Sequence, residues 1–580
     1  MTILPFTASL RLVTPHHRPV LPLAGVLVLT ISTFSTSPST CQRFCEGHIV
    51  RPREQRHGIE ISPCASLNPS EISVTTTMSG TFTYHFDTPV YKGTTALHTG
   101  LYINGEWVNP VQGSATADII NPANGKTITS VSVGTAADVD RAVVAAQNAY
   151  KTVWGLRCPG SARGRLLNKL ADLVEEHQNE LAALDALNIG KAFHTVLAGD
   201  IPFSIATLRY FAGWADKVQG KTMETNENKL AYTRHEPYGV VGQITPWNAP
   251  LLMVIIKIAP ALATGNTIVL KPSEVTPLSA LRIADLITEA GFPPGVVNIV
   301  NGYGLTVGAA IASHRQIAKV AFTGSAGVGR AIMRASTESN LKPVTLELGG
   351  KSPTIVFDDA NLEQAVKWAS MGIFYASGQA CVAGSRIFVQ ESIHEEFLKR
   401  FTETAKALAG AIGDPFAQGS QHGPLISQAQ LDRVLGYIEA GKQEGATLHV
   451  GGARHGNEGY FVQPTIFTNL KPDMKIVREE IFGPVACIIK FKTEEEVIEM
   501  ANNTVYGLSC NVFSQNISRA IRVTHALEAG NCWVNCASTA EVGVPFGGYK
   551  ESGIGREMGE YALDTYTQVK AIHVNLGLNL

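Results

Sequence analysis

The feature that most restricts the fold is a repeated alternation of short apolar runs and helix-length segments between residues 239 and 347. Gly239-Val240-Val241-Gly242-Gln243-Ile244 is an apolar run stopped by Pro246, and a helical pattern follows over 251–263. Thr267-Ile268-Val269-Leu270 reads as a short buried strand, with a helix predicted over 277–290. Val296-Val297-Asn298-Ile299-Val300 and Lys319-Val320-Ala321-Phe322 repeat the strand pattern. Such runs are too continuously apolar to have a solvated face. Separated by helices, they predict a parallel sheet covered on both sides. Sheets of this kind bind ligands at the carboxyl ends of their strands.

A chain of 580 residues exceeds what one core accommodates, so two or three domains are expected. With 45% hydrophobic residues, 17% charged residues and 54 glycines, it reads as globular α/β and not as disordered or fibrous. A net charge of -2 without a dense Lys/Arg block gives no reason to expect nucleic acid. Nine cysteines are few for this length and odd in number. They fit reduced thiols in a cytosol-like compartment better than a disulfide scaffold, so a cytoplasmic location is expected. Cys532 and Cys536 lack a second pair of ligands nearby and read as buried small thiols, so no metal is expected.

Residues 1–100 differ from the rest. They contain no acidic residue before Glu46, carry Arg11, Arg18 and Arg43, and are rich in Ser, Thr and Pro. The apolar stretch 20–34 is shorter than the roughly 20 residues a membrane span needs, so no stable membrane anchor is expected. It could serve as a signal-peptide core, although no clear cleavage site follows. The composition also suits a transit peptide, which would make the location mitochondrial. The favoured reading is that the chain starts at Met78 and that the preceding residues are untranslated or dispensable. On each reading 1–100 is an extension, disordered and outside the enzyme.

Beyond it, Tyr102-Ile103-Asn104-Gly105-Glu106-Trp107-Val108 predicts a hairpin around an Asn-Gly turn. Thr135 is a plausible N-cap for a helix over 137–150, and 161–187 is one amphipathic stretch.

Chemistry-bearing residues fall at strand ends. Lys271-Pro272-Ser273-Glu274 could hold a ribose, and its carboxylate would repel a 2′-phosphate; the plainer alternative is a surface charge pair at a helix-opening turn. Phe322-Thr323-Gly324-Ser325-Ala326-Gly327-Val328-Gly329 is a glycine-rich turn where backbone could approach phosphate; a tight structural turn is the alternative. Cys381, in Gly378-Gln379-Ala380-Cys381, is a nucleophile only if a base or a lowered pKa activates it. Glu347 lies in an apolar setting that would raise its pKa and suit it to activating water. Asn248 offers an amide donor that, with the Cys381 backbone N–H, could hold an oxyanion.

These motifs occur together and in order with Pro246-Trp247-Asn248, Leu346-Glu347-Leu348-Gly349-Gly350-Lys351, Glu480-Ile481-Phe482-Gly483-Pro484 and Pro545-Phe546-Gly547-Gly548. In this the chain strongly resembles the NAD-dependent aldehyde dehydrogenase superfamily from about residue 101 to the C-terminus. The resemblance implies an α/β protein with a Rossmann-like cofactor domain (101–218 and 238–349) and an α/β catalytic domain (350–551). It also implies a small β-arm for oligomerisation (219–237 and 565–580). It makes Cys381 the nucleophile, Asn248 the oxyanion donor and Glu347 the base for deacylation. Lys271 and Glu274 would hold the adenosine ribose of NAD, and Trp247 and Ser325 the pyrophosphate, with Gly324 and Gly329 of the glycine-rich turn also at the cofactor. Glu480 and Phe482 would hold the nicotinamide ribose and ring. Lys257 and Glu557 fall where some members run a proton relay. Members that release the acyl group to coenzyme A usually lack the glutamate matched by Glu347, so water is the expected acceptor. A homodimer or homotetramer is expected.

Two other functions compete. An alcohol or hydroxy-acid dehydrogenase would leave Cys381 and Glu347 without a role. A non-enzymatic descendant would not need Asn248, Glu347 and Cys381 together. For the substrate, Trp247, Met253, Phe374, Val382 and Ala540 suggest an apolar channel suited to aliphatic or aromatic aldehydes.

Overall fold

The strands foreseen from the apolar runs lie side by side. A computed structural model describes residues 80–580, and Val240–Ile244, Thr267–Lys271, Val297–Ile299, Lys319–Thr323 and Val344–Glu347 form its parallel centre. Three short antiparallel strands complete an eight-stranded sheet: Leu101–Ile103 and Glu106–Val108 at one edge, Gly553–Ile554 at the other. Val240–Ile244 sits in the middle. The chain adds Thr267–Lys271 and Val297–Ile299 on one side of it, then returns to add Lys319–Thr323 and Val344–Glu347 on the other. The crevice where the direction of winding reverses is where open α/β sheets hold ligands.

The covering helices explain the apolar faces. Pro250–Ala263 begins on proline, which suits the first helical position, and is buried almost all round. Its one charged residue, Lys257, is buried with the rest. Leu278–Ala290 packs in the same cluster and ends at Gly291 in the left-handed conformation. Thr135 caps Ala136–Thr152 with a capping box to Asp138, as its position predicts. The stretch expected as one helix is two, Gly160–Glu176 and Gln178–Ile189, broken at His177. Both halves bury apolar residues, so a hydrophobic pattern alone could not show the break.

A second, seven-stranded sheet runs in the order Thr447–Val450, Thr465–Thr468, Val485–Phe491, Arg386–Gln390, Pro353–Val356, Ser509–Phe513, Asn531–Val534. All its pairings are parallel except the first. Thr222–Met223, Lys229–Pro237 and Thr567–Asn575 make a separate antiparallel sheet of three strands. The two α/β layers and the β-arm are the architecture expected.

The N-terminal boundary differs from expectation. Residues 80–100, grouped by composition with a disordered extension, include an antiparallel hairpin of Thr81–Asp87 and Lys92–His98. Phe86 and Leu97 are buried in the hydrophobic core, and Phe86 meets Phe416 at 5.6 Å between ring centres. Alternation over so short a segment was hidden by its many threonines. The readings of 1–79 lie outside the described residues. Among the described residues no helix is long and apolar enough to cross a membrane.

Candidate active site

Cys381 follows a segment that regular structure could not supply. Leu362–Phe374 ends, and Ala376, Ser377 and Gly378 then take left-handed φ values of 50°, 56° and 71°. Such conformations are costly for alanine and serine and persist only where surroundings hold them. Gln379 supplies part of that hold: its side-chain oxygen accepts from the Ile426 N–H at 3.0 Å, and its amide donates to the Ala376 carbonyl at 3.2 Å. At Gly378 a Cβ would stand 2.1 Å from the Gly483 carbonyl oxygen, so only glycine allows this close approach. The cysteine loop is thereby fastened to the segment carrying Glu480 and Phe482.

Asn248 follows the central strand of the first sheet. Its Nδ2 donates to the backbone carbonyl of Gln379 at 3.1 Å, two residues before Cys381. Glu347 ends the Val344–Glu347 strand and is buried, with Oε2 receiving no hydrogen bond from the protein. A Cβ at Gly547 would come within 2.9 Å of its Oε1. Glu480 accepts the Gly350 N–H at 3.0 Å, and a Cβ on Gly350 would stand 2.5 Å from the Cys381 carbonyl oxygen. The two glycines of Leu348-Gly349-Gly350 thus let backbone pass between the Glu480 carboxylate and the Cys381 backbone carbonyl.

Electrostatics tie the groups together. Burial pushes the Cys381 thiol up to about 12, assisted by the negative charges of Glu480 and Glu347. Burial also pushes Glu347 well above the usual carboxylate range; Glu557 adds to this, while Lys257 and Arg556 oppose it. Glu480 is raised too, again by burial, with the Gly350 N–H acting against it. Without ligand, then, Cys381 holds its proton at neutral pH. The Lys257 ammonium and the Glu557 carboxylate form a buried ion pair behind Glu347.

The remaining expected residues line the other side of the crevice. Lys271 ends its strand, is buried, and pairs with Glu274 at 2.9 Å. Burial raises Glu274, but the Lys271 charge and hydrogen bond outweigh it and hold the carboxyl below its ordinary value. Ser325 is the exposed N-cap of Ala326–Ser339, and the Gly324 N–H donates to the Glu347 carbonyl at 3.0 Å. That helix start, at the reversal of winding, offers free N–H groups and the positive end of a dipole to a phosphate. Trp247 and Phe482 meet edge to face at 5.2 Å, with Phe482 itself at a left-handed φ of 60°. A basic and acidic pair at one strand end, an open helix start after the strand on the other side of Val240–Ile244 and a carboxylate beyond them fit a dinucleotide.

Some readings change. Gly329 is buried, and a Cβ there would lie 2.9 Å from Leu348 Cδ2, so its lack of a side chain serves helix-to-strand packing. Phe374 is buried against Phe401, ring centres 5.6 Å apart, and belongs to the core of the second layer instead of an apolar channel. Cys532 is exposed and Cys536 half-buried, not the buried pair expected, because Cys532 lies on the edge strand Asn531–Val534 and Cys536 just past its end. Sequence reasoning missed Gln379 as the holder of the cysteine loop. It also missed Ser552, whose hydroxyl donates to the Gly349 carbonyl at 2.7 Å and accepts from the Gly507 N–H at 2.9 Å. Gln379 stood inside a quoted motif; Ser552 carried no local signal.

A model of the aldehyde dehydrogenase family matches residues 107–572. An aldehyde dehydrogenase of Agaricus bisporus is 61% identical over 499 residues, covering 86% of this chain and 99% of that protein. One from Emericella nidulans is 55% identical over 500 residues, covering 86% and 99%. Among solved structures, an NAD+ complex of aldehyde dehydrogenase from Bacillus cereus superposes with a TM-score of 0.81 at 49% identity, covering 83% of this chain and 97% of that one. Betaine aldehyde dehydrogenase from Staphylococcus aureus in complex with NAD+ gives 0.81 at 41% identity, covering 83% and 96%. The matched span contains every chemical group described above, and this chain belongs to the aldehyde dehydrogenase family.

Proposed function

We propose that this chain oxidises an aldehyde to a carboxylic acid with NAD, through a thioester on Cys381 that is hydrolysed by water activated by Glu347. The supporting observation is that Asn248, Cys381 and Glu347, drawn from three separate segments, converge on one place, Glu347 buried and the other two half-buried, with Asn248 bonded to the cysteine loop. NAD, when bound, supplies the hydride acceptor and a positive ring charge. Lys271 and Glu274 would hold its ribose, the start of the Ala326–Ser339 helix its pyrophosphate, and Glu480 with Phe482 its nicotinamide end.

Cys381 gives its proton to water, its sulfur bonds to the aldehyde carbon and the C=O π bond opens, giving an alkoxide. Asn248 Nδ2 and the Cys381 N–H stabilise that oxygen, which requires Asn248 to exchange its bond to the Gln379 carbonyl for one to substrate. Departure of hydride leaves the thioester. Glu347, with Oε2 free for a water, takes the proton as water attacks, and the thiolate leaves. The ion pair of Lys257 and Glu557 passes that proton onward. Association as a dimer or tetramer belongs to this reading, supported by a three-stranded arm that exposes Leu230 and Val569.

Glu347→Gln tests the mechanism. It should give one burst of NADH per active site and then little steady turnover, with acyl group retained on Cys381 by mass spectrometry. Undiminished steady turnover would remove Glu347 from the reaction.

A further inference from the structure

Away from the active-site groups, two thiols face each other across neighbouring strands of the second sheet. Cys510 lies in Ser509–Phe513 and Cys532 in Asn531–Val534, and the two are direct partners in the parallel register. Both project to the face covered by Ile517–Ala526. Cys510 packs in an apolar cluster with Ala520, Val523 and Leu527. Cys532 Sγ lies 3.9 Å from the carbonyl oxygens of Thr524 and Ala529.

The pair is unequal. Cys510 is fully buried, whereas Cys532 sits on the edge strand and is exposed. Interaction with the Cys510 thiol lowers Cys532 below the ordinary thiol value, and interaction with Cys532 together with burial holds Cys510 well above it. Accessible thiolate character marks a thiol that peroxides attack, and a second thiol beside it marks one that resolves the product. Adjacent strands run about 4.8 Å apart, inside the about 4.4–6.8 Å between Cα atoms that a disulfide spans. Closing the bond therefore needs rotation of side chains and not separation of the sheet.

We propose that Cys532 is an oxidation site for hydroperoxides and that Cys510 resolves it into a reversible disulfide between the two strands. In the first step the Cys532 thiolate attacks the peroxide O–O bond. An S–O bond forms, the O–O bond breaks, and an alcohol or water leaves after taking a proton from solvent. The sulfur is oxidised to sulfenic acid and the peroxide is reduced. In the second step Cys510 gives up its proton and its sulfur attacks Cys532. The S–S bond forms, the S–O bond breaks and water leaves. Neither step draws on Cys381 or on the aldehyde reaction.

The test uses the full chain with Cys381→Ser, so that the active-site thiol does not contribute, alongside the unaltered protein. Each is treated with hydrogen peroxide, alkylated and mapped by peptide mass spectrometry. A Cys510–Cys532 linked peptide should form in both, and dithiothreitol should return both thiols to the alkylated fraction. In Cys510→Ser, Cys532 should instead be trapped as sulfenic acid by dimedone. The proposal is overturned if Cys532 stays reduced while Cys158 or Cys536 oxidises. It is equally overturned if oxidised Cys532 in the unaltered protein pairs with another cysteine or none.

Discussion

Lys257 and Glu557 are 300 positions apart in the chain, yet their side chains form an ion pair buried between the first sheet and its covering helix. Lys257 comes from the otherwise apolar Pro250–Ala263 helix, whose carbonyl at that residue accepts the Gln243 amide at 2.7 Å. Glu557 arrives on the returning C-terminal segment, held by backbone bonds in both directions to Phe546. The two charges act on Glu347 in opposite senses, the carboxylate raising its pKa and the ammonium lowering it.

The pH profile should expose that opposition. Glu557→Gln removes the repelling charge, so Glu347 ionises more readily and the acid limb of the deacylation rate should move to lower pH. Lys257→Met removes the attracting charge, and the limb should move to higher pH. Stranding one member of a buried pair costs about 3–5 kcal/mol, so thermal melts must accompany both profiles. Displacement of both limbs in one direction would separate the pair from Glu347.

Asn248→Ala should lower kcat by about 10²–10³-fold, the usual cost of losing one oxyanion donor. NAD affinity should hardly change, because the side chain bonds to the Gln379 carbonyl and not to the cofactor crevice. Single-turnover NADH formation measures this directly. A loss smaller than about tenfold would assign oxyanion stabilisation elsewhere.

Cofactor choice should depend on Glu274. Its carboxyl, held below its ordinary value once the Lys271 charge outweighs burial, is ionised at neutral pH and repels a 2′-phosphate. Glu274→Gln should therefore raise kcat/KM for NADP relative to NAD by about tenfold or more, equivalent to about 1.4 kcal/mol. An unchanged ratio would show that another group reads the ribose.

His422 should make stability fall in mild acid. Burial drops its pKa to about 4, with Nε2 against the Val462 carbonyl at 3.3 Å. Between about 6.5 and about 4 the unfolded chain binds a proton that the folded chain refuses. Stability is thus complete above about pH 6.5 and lost as pH falls, by about 2 kcal/mol at pH 5 on the linkage relation. Urea unfolding at pH 7 and pH 5 measures the difference. His422→Gln should flatten it, and an equal slope in the variant would remove His422 as its source.

Much of this molecule was legible in local pattern. Val240–Ile244 and Thr267–Lys271 announced themselves as short apolar runs, and Thr135 as a cap, because periodicity and capping act within a few residues. The chemical residues could be named because each stands at a strand end or in a distinctive short motif. Gly329 and Phe374 were harder, since a glycine that admits phosphate and one that admits Leu348 look alike in sequence. The hairpin over 81–98 was obscured because composition averages over a stretch, whereas burial of Phe86 and Leu97 is decided residue by residue.

Residue types and their order along the chain determined the α/β class and the family, and singled out Cys381, Glu347 and Asn248 as candidates. Folding alone decided that Gly378 abuts Gly483, that Lys257 meets Glu557, and that Cys510 stands beside Cys532. It also decided that burial raises the pKa of Cys381 and of Glu347. The reason is physical: local preferences extend over a turn or a strand, but proximity across hundreds of residues and the loss of water around a charge arise only when the layers pack.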